Sequence, residues 1–379
     1  MPGSLQSLHS DPALSPTLPG RYYHDPKVLE AETEAIFHRT WQLIGHQSQI
    51  KNPGDYITAE ILGQKLFALR GDDGEIRAFY NVCQHRAHGL LSGESGNTRN
   101  TIVCPYHAWT YRLDGSLRTA RGSEMMPAFQ PQDYGLTPVR LEEGLGFLFV
   151  CFDETAPGLE ATLGGALADI KETLRWIEEV EVLTDVAAGN LSAGELAANW
   201  KVLAENCLEC YHCTPAHPAF VDLVSIESYS CATAPHWMKS AGDLRRSENK
   251  AYPVEADAAV QQGLFWHLFP NSQIGAMPGE RVVSGFNFLP VTAERTAMRY
   301  FLLAVPGDAP TAERVAYVNE VLWPEDEALC ESVHQGLKSK GYRQGRFIMH
   351  PERPGISENG VHHFQLLYAK AMGLDLLPA

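Results

Sequence analysis

The sequence contains little positive charge, few cysteines and no long apolar run. Its 30 Lys and Arg residues stand against 46 Asp and Glu residues, and the net charge of −16 gives no electrostatic basis for binding nucleic acid. No segment approaches the ~18 consecutive apolar residues of a membrane span, so no membrane helix is expected. The longest apolar run, Leu145 to Phe152, predicts a buried strand instead.

The cysteines are too sparse for a disulfide scaffold, with eight in 379 residues, and are more typical of metal ligands or small buried side chains. Three of them, Cys207, Cys210 and Cys213, have a spacing known from iron–sulfur proteins. They lie in a helical pattern without a fourth cysteine nearby, so we do not interpret them as cluster ligands. Residues 1–20 lack the basic and apolar parts of a secretory signal, and we expect a cytoplasmic protein.

The length and the composition, 44% hydrophobic and 20% charged, are typical of a globular enzyme with two domains. Residues 1–41 are expected to form a tail and a helix that pack with the second domain, with Asp25 as N-cap and Pro26 as the first helical residue. Residues 42–154 contain short β-rich runs between turn signals, which predicts a small antiparallel β domain. Residues 155–379 combine helical periodicity with apolar strands, so the fold class is α+β.

Two patterns organise the larger domain. Helical periodicity covers residues 199–213 and resumes from residue 311. Residues 284–291 and 298–305 alternate as strands and are expected to form a hairpin around Ala293.

Four possible metal ligands occur as two short pairs, Cys83-x-His85 and Cys104-x2-His107. Such a set suits either Zn²⁺ or a Rieske-type [2Fe-2S] centre, in which two His replace two Cys on one iron. Zinc sites more often pair Cys with Cys and His with His at short spacing, whereas each pair here has one of each. A Rieske centre is therefore the favoured interpretation, and a zinc site or chance spacing remain alternatives.

A second cluster of ligand types lies within residues 199–220. On a continuous helix Glu205, Glu209 and His212 would share one face. Pro215 would end that helix, so that His217 could turn back toward the same point. Two His and one carboxylate leave three positions on Fe(II) open for water, O2 and substrate.

The carboxylate of this second centre has more than one candidate. Glu209 is one, and the acidic residues after Pro324 are the others. For Glu325 and Glu327 we favour the simpler role of a negative charge at a helix N-terminus.

The segments "NVCQHRAH" and "CPYHAWTY" resemble the Rieske domain of Rieske non-haem iron oxygenases, and "ENCLECYHCTPAHP" resembles their mononuclear iron motif. The resemblance extends from about Tyr22 to Lys370. Ala87 and Ala108 stand where many members of the family have Gly, but neither position is a ligand. The resemblance implies a small antiparallel β Rieske domain followed by a larger, helix-grip-like catalytic domain with an antiparallel sheet and helices.

The resemblance also implies the metal-binding residues. The [2Fe-2S] cluster would be held by Cys83, His85, Cys104 and His107, and a mononuclear Fe(II) by His212, His217 and Asp326. Glu209, where the family usually has Asp, would bridge this iron to the Rieske histidine of a neighbouring subunit. Asn206 is a second candidate catalytic residue.

Glu209, "HRAH", "CPYHAW" and the C-terminal "GLKSKGYRQGRFIMHPERPGISENG" are similar to the carnitine monooxygenase subgroup, which includes relatives that act on glycine betaine, choline and proline betaine. This similarity implies the oxygenase component of a monooxygenase that hydroxylates a C–H bond beside the nitrogen of a small quaternary ammonium compound, which leads to C–N cleavage. A separate NAD(P)H-dependent reductase of the flavin and ferredoxin type would supply electrons. The chains would assemble as a homotrimer.

A trimethylammonium group favours an aromatic enclosure, because cation–π attraction replaces its lost hydration. Trp266 is the first candidate for that enclosure, ahead of Phe265, Phe269, Phe286 and Phe288, although core packing is the simpler role for each of them. The sequence identifies no group that would bind a betaine carboxylate. The alternative functions are an aromatic-ring hydroxylating Rieske dioxygenase and a non-catalytic zinc-binding protein.

Overall fold

The computed structural model describes residues 7–183 and 195–377. Its contacts define two compact units, one made of the described residues up to Ile36 and from Thr162 onward, the other of Phe37–Ala161. The smaller unit extends a few residues beyond the predicted 42–154, and Trp41 Nε1 donates to the Pro157 carbonyl within it at 3.0 Å. The predicted division into 1–41, 42–154 and 155–379 stays a prediction.

The described N-terminal segment is fastened to the larger unit. Its elements are strand β1 (Leu8–His9) and helix α1 (Pro26–Glu32). The Asp25 side chain accepts the Lys27 N–H and caps α1, as the Asp-Pro pair predicts. Glu32 at the end of α1 is fully buried and accepts a hydrogen bond from Lys201 Nζ at 2.5 Å. A buried ion pair therefore holds α1 in the larger unit.

The smaller unit is built on a seven-stranded antiparallel sheet in the order β2-β11-β10-β5-β4-β3-β6, with a three-stranded sheet β7-β8-β9 beside it in sequence. These strands are β2 (Gln42–His46), β3 (Asp55–Ile61), β4 (Gln64–Arg70), β5 (Ile76–Tyr80), β6 (Ser95–Asn97), β7 (Ile102–Val103), β8 (Thr110–Tyr111), β9 (Leu117–Thr119), β10 (Pro138–Gly144) and β11 (Phe147–Cys151). All five residues of β11 are buried, which confirms the buried strand predicted from the apolar run.

The larger unit is built on an eight-stranded antiparallel sheet in the order β12-β19-β18-β17-β16-β15-β14, with β13 also paired to β19. The strands are β12 (Glu181–Val182), β13 (Glu195–Leu196), β14 (Ser230–Ala234), β15 (Trp237–Asp243), β16 (Gln262–Leu268), β17 (Ser272–Ala276), β18 (Val282–Thr292) and β19 (Arg295–Ala304). Strands β18 and β19 form the hairpin expected around Ala293. The C-terminal strand β20 (Leu376–Leu377) pairs in parallel with β1.

The helices after α1 are α2 (Leu159–Thr173), α3 (Trp200–Asn206), α4 (Cys213–Ala216), α5 (Phe220–Leu223), α6 (Ala312–Tyr317), α7 (Trp323–Leu337) and α8 (Asn359–Ala371). A π-helical turn, Val318–Leu322, joins α6 to α7 without a break. Within the described ranges, no helix combines the length and the apolar character that crossing a membrane requires.

The predicted continuous helix over residues 199–213 is wrong. Helix α3 ends at Asn206, and α4 begins only at Cys213. The carboxylate of Glu209 accepts the backbone N–H of His212 at 3.1 Å, a local side-chain bond that competes with helical hydrogen bonding. Glu205 consequently does not share a face with Glu209, and its carboxylate accepts the Tyr23 hydroxyl at 2.7 Å.

Candidate functional site

Two loops of the smaller unit carry the predicted cluster ligands, and their backbones have matching hydrogen bonds. In the first loop, the Ala87 N–H donates to the Cys83 carbonyl at 3.0 Å. In the second, the Ala108 N–H donates to the Cys104 carbonyl at the same distance. The two loops therefore present their ligand pairs through the same local turn, although the spacing between Cys and His differs by one residue.

Both alanines have left-handed backbone conformations, with φ of 56° at Ala87 and 57° at Ala108. Glycine adopts such φ values without a steric penalty, whereas a residue with a Cβ is strained by about 1–2 kcal/mol. This geometry gives a physical reason for the Gly that many proteins of the resembled family have at these two positions. It also shows that the departure at Ala87 and Ala108 leaves the loop conformation in place.

The four predicted cluster ligands differ in depth according to residue type. Cys83 and Cys104 are each 2% exposed and belong to the apolar core of the smaller unit, whereas His85 is exposed and His107 is partly exposed. The two imidazole rings lie with centroids 4.6 Å apart, and His85 stacks on Trp109. Thiolates inside and imidazoles at the surface fit a cluster whose two irons have different ligands.

One buried phenol contacts this site. The Tyr111 oxygen lies 3.2 Å from Cys83 Sγ and accepts the Gln84 N–H at 3.0 Å. Burial raises the pKa of the Cys83 thiol, and the hydrogen bond from Tyr111 opposes that rise. Tyr111 therefore supplies a donor to the sulfur. The motif analysis did not identify this residue, although it lies only four residues after His107.

The second predicted centre lies in the larger unit, where one ligand atom from each of His212, His217 and Asp326 lies within 4.8 Å of the others. Asp326 Oδ1 is 3.0 Å from His217 Nε2 and 3.5 Å from His212 Nε2. Two ligands on adjacent octahedral positions about 2.1 Å from a metal would lie about 3 Å apart. The donor set and its spacing therefore fit a mononuclear iron on one face.

Each of the two histidines has a carboxylate at its outer nitrogen. Glu209 Oε1 lies 2.5 Å from His212 Nδ1, and Glu325 Oε2 lies 2.8 Å from His217 Nδ1. When Nδ1–H donates to such a carboxylate, the Nε2 lone pair is left for a metal, and the ring is held in orientation. The geometry thus supports Asp326 rather than Glu209 as the third ligand.

Glu325 has a contact that the sequence reading did not anticipate. We interpreted it as a helix N-terminal charge; it lies in the first turn of α7, but the π-helical turn Val318–Leu322 continues the helix there, so α7 has no free N-terminus. It also holds His217, a residue 108 positions earlier in the chain. The sequence shows only that Glu325 is adjacent to Asp326, and this does not determine the direction of the Glu325 side chain.

The negative field of these carboxylates acts on the histidines. Burial disfavours a charged His212, but hydrogen bonds to Asp326 and Glu209 outweigh it and raise the pKa of His212 to about 10. Burial alone would raise the pKa of Asp326, yet hydrogen bonds from His212 and His217 hold it at about 2. A field that stabilises positive charge this strongly also suits a divalent cation.

A short helix presents the two histidines. His212 directly precedes α4 and His217 directly follows it, one turn later and just beyond Pro215. Cys210 and Cys213 form a disulfide on either side of His212. We did not expect a disulfide, but residues three apart across a turn bring these Cα atoms to 4.8 Å.

A cavity of about 180 Å³ opens on this centre. Asn206 and Glu209 lie on its wall together with His212, His217 and Asp326. The remainder of the wall is mainly aromatic and sulfur-containing, and includes Phe220, Phe265, Met277, Phe286, Met298 and Tyr300. Such a pocket would receive an apolar or cationic group beside the metal.

The structure separates the aromatic residues nominated for a substrate cage. Phe265 lines the cavity, but Trp266 is fully buried and has Lys239 Nζ 5.1 Å from its ring centroid. Successive residues of β16 point to opposite faces, so Phe265 and Trp266 cannot both face the cavity. Phe269 packs on Phe364 at 5.9 Å and is not among the described lining residues. Trp266 and Phe269 are therefore no longer candidates for the cage.

Sequence reasoning missed Tyr300, which faces Phe286 across β18 and β19 with ring centroids 6.2 Å apart. The signal was present, because a hairpin centred on Ala293 places residues 286 and 300 opposite each other. The sequence analysis did not use this cross-strand pairing, because it considered only the alternation of Phe286 and Phe288 along one strand.

Two family models match the chain. One, described as "Rieske [2Fe-2S] domain", covers residues 40–130, and the other, "Ring hydroxylating alpha subunit (catalytic domain)", covers residues 178–374. Together they account for both candidate metal centres, each within the unit where the structure places it.

Individual proteins are also similar. The carnitine monooxygenase oxygenase subunit of Acinetobacter baumannii is 37% identical over 364 residues, which is 95% of this chain and 96% of that protein. A quaternary ammonium Rieske monooxygenase, whose structure is said to reveal insights into carnitine oxidation by gut microbiota and inter-subunit electron transfer, matches with a TM-score of 0.87 and 34% identity. That match covers 97% of this chain and 100% of the other.

Naphthalene 1,2-dioxygenase from a Rhodococcus species matches less closely in sequence. Its TM-score is 0.78 at 21% identity, over 94% of each chain. This likeness shows a shared fold alone.

Proposed function

Because the chain belongs to the Rieske non-haem iron oxygenases, we propose that it is the oxygenase component of a monooxygenase for small quaternary ammonium compounds such as carnitine or glycine betaine. It would hydroxylate a C–H bond beside the quaternary nitrogen, and the hydroxylated product would break its C–N bond to give an amine and an aldehyde. The observation that carries this proposal is the aromatic cavity that opens directly on His212, His217 and Asp326.

Members of this family bind a Rieske [2Fe-2S] cluster and a mononuclear iron, and the donor sets of this chain fit both. When bound, these groups supply electron storage and O2 activation, so the protein itself must hold the metals, position the substrate and limit water. Cys83, His85, Cys104 and His107 would hold the cluster. His212, His217 and Asp326 would hold the iron, with Glu209 and Glu325 orienting the two imidazoles.

Glu209 stays the proposed link to the Rieske histidine of a neighbouring subunit. Its carboxylate already accepts two hydrogen bonds from His212, one from the ring and one from the backbone, and still has lone pairs for a further donor. Asn206 lies on the same cavity wall and stays the second proposed catalytic residue.

The cavity wall favours a cationic substrate over a flat neutral one. The faces of Phe265, Phe286 and Tyr300 offer cation–π attraction to a trimethylammonium group, which cannot donate hydrogen bonds. Aromatic-ring hydroxylation is the weaker alternative, because the aromatic dioxygenase is 21% identical and shares only the fold, whereas the carnitine monooxygenase is 37% identical over 95% of this chain. Membership in this oxygenase family removes the alternative of a non-catalytic zinc-binding protein.

We further propose a homotrimer that receives electrons from an NAD(P)H-dependent flavin and ferredoxin-type reductase in the cytoplasm. A similar monooxygenase is described with inter-subunit electron transfer, which supports a role for neighbouring chains. A closed head-to-tail ring would give every subunit the same contact with its neighbour.

Turnover of a defined panel tests the proposal. The holoenzyme, loaded with both iron sites and supplied with a reductase and NAD(P)H, is incubated with carnitine, γ-butyrobetaine, glycine betaine, choline, proline betaine and naphthalene. We expect O2 uptake matched by an amine and an aldehyde from at least one ammonium compound. Oxidation of naphthalene with none of the ammonium compounds consumed would reverse the choice of function.

A further inference from the structure

The cavity wall carries charges of both signs. Glu209 and Asp326 lie at the predicted iron, and Arg314 lies elsewhere on the wall. Among the described residues that line the cavity, Arg314 is the one whose side chain is permanently positive. A substrate with a charge of each sign would therefore have a preferred direction in this cavity.

Arg314 is held in place and keeps donors to spare. Its side chain is only 7% exposed, and its Nη1 donates to Glu280 Oε2 at 3.0 Å. Within residues 7–183 and 195–377 the guanidinium makes no other hydrogen bond to the protein. A guanidinium has five N–H groups in a fixed plane, so a second acceptor can be bound in bidentate geometry beside Glu280.

Arg314 shares the cavity wall with aromatic residues. Tyr300 lines the same cavity as Arg314, and the positive charge of Arg314 opposes the rise that burial causes in the pKa of Tyr300. Tyr300 in turn faces Phe286. A cation in this cavity would be attracted by the π faces of the rings and repelled by Arg314, so it would be directed toward the carboxylates of Glu209 and Asp326.

Helix geometry gives the separation between Arg314 and Asp326. Arg314 and Asp326 are twelve residues apart on the continuous segment formed by α6, the π-helical turn and α7. A helix rises 1.5 Å per residue, so their Cα atoms are roughly 18 Å apart along its axis. After both side chains reach inward, this span favours an extended substrate over a short one.

We propose that Arg314 binds the carboxylate of a zwitterionic quaternary ammonium substrate and so selects betaines with a long spacer. This inference rests on the proposed function and names its substrate class. The carboxylate would pair with the guanidinium, and the trimethylammonium group would be placed among the rings beside the predicted iron. A three-carbon spacer, as in carnitine or γ-butyrobetaine, reaches further than the one-carbon spacer of glycine betaine, and choline has no carboxylate to bind.

Comparison of an acid with its amide isolates this contact. For the holoenzyme, kcat/KM is measured with carnitine and with its carboxamide, which keeps the spacer and the ammonium but has no negative charge. We expect the acid to be preferred about 10- to 100-fold, as for loss of a charge-assisted hydrogen bond, and Arg314→Gln to abolish most of that preference. Arg281→Gln serves as control, because Arg281 pairs with Asp308 and is not among the described lining residues.

Each of these measurements can contradict carboxylate binding by Arg314. An Arg314→Gln variant that keeps the wild-type preference overturns the inference, and so does wild-type enzyme that uses acid and amide equally. The second comparison needs no variant and therefore stands if Arg314→Gln does not fold. If the wild type oxidises no ammonium compound, the proposed function fails by itself. In that case, calorimetry measures the affinities of the holoenzyme for carnitine and for its carboxamide. Equal affinities would contradict binding of the carboxylate by Arg314.

Discussion

The hydroxyl of Tyr111 lies 3.2 Å from Cys83 Sγ and is the donor when the sulfur is a thiolate, which has no proton to give. Hydrogen bonds to a cluster sulfur stabilise the more negative, reduced state. We therefore expect Tyr111→Phe to lower the reduction potential of the Rieske cluster by on the order of 50 mV, since 59 mV is a tenfold change for a one-electron couple. A redox titration followed by visible absorption measures this shift.

Tyr134→Phe is the matched control for that titration. The Tyr134 ring packs on Trp109 in the same core, with centroids 5.7 Å apart, and in the described part of the chain its hydroxyl has no hydrogen bond to a cysteine sulfur. Its substitution should leave the potential within experimental error. Equal potentials for wild type and Tyr111→Phe would show that the phenol has no influence on the cluster.

Asp326→Ala should remove the mononuclear iron without removing the cluster. Only two imidazoles would remain on the metal-facing side, whereas the cluster ligands lie in the other unit. We expect iron to fall by about one atom per chain, turnover to fall by at least about 100-fold, and the visible Rieske spectrum to be retained. Glu327→Ala, at the next position but outside the three-ligand group, should keep both metals. Full iron and activity in Asp326→Ala would refute the ligand assignment.

Glu325→Gln should loosen the iron while leaving its three ligands in place. The substituted amide would lack the charge that fixes the Nδ1–H of His217, and loss of such an outer carboxylate typically costs 10- to 100-fold in metal affinity. The rate at which a chelator removes the iron is the measurement, with Glu327→Gln as the comparison. If the chelator removes iron from Glu325→Gln and from wild type at the same rate, Glu325 does not stabilise the metal site through His217.

Glu205→Gln should change how stability depends on pH. Burial raises the pKa of Glu205 from 4.5 to about 7, although the Tyr23 hydroxyl and the Gln365 amide both donate to it. The folded protein thus binds this proton more tightly than the unfolded chain, so stability is lost as pH rises from about 4.5 to 7.

The loss from this single group amounts to at most about 3 kcal/mol. Glutamine keeps the acceptor oxygen without the titration, so denaturant unfolding at pH 5 and pH 8 should differ less in Glu205→Gln than in wild type. Glu313→Gln, at an exposed position of α6, should retain the wild-type difference. A parallel pH response in Glu205→Gln and wild type would be evidence against a raised pKa.

Short-range patterns predicted the features whose partners are near in sequence. The pairing of residues 284–291 with 298–305 and the Asp25 cap follow from hairpin and cap chemistry within a few residues. The two Cys-His pairs also lie on single loops, so their spacing was visible directly. In each case the interacting groups are fixed by local backbone geometry.

The features that escaped prediction depend on distant contacts. Helix α3 was drawn too long because the capping of His212 by Glu209 replaces helical bonds that periodicity assumes. Trp266 was placed ahead of Phe265 as a cage residue, yet the alternation of side chains along the strand decides which of the two faces the cavity. Arg314 could not be selected, because its guanidinium is held by Glu280, which lies 34 residues earlier in the chain, rather than by any neighbouring residue.

The π-helical turn at Val318–Leu322 determines the angle around the helix axis between residues before it and residues after it. In an uninterrupted α-helix, residues twelve apart differ by about 120° around the axis, so Arg314 and Asp326 would point in clearly different directions. One extra residue in a wider turn absorbs about 100° of that difference and leaves about 20°. Deletion of a single residue in this turn would thus rotate the guanidinium out of register with the iron ligand. Substrate preference in related chains could therefore diverge through an insertion or deletion here, while every residue that touches metal or substrate stays the same.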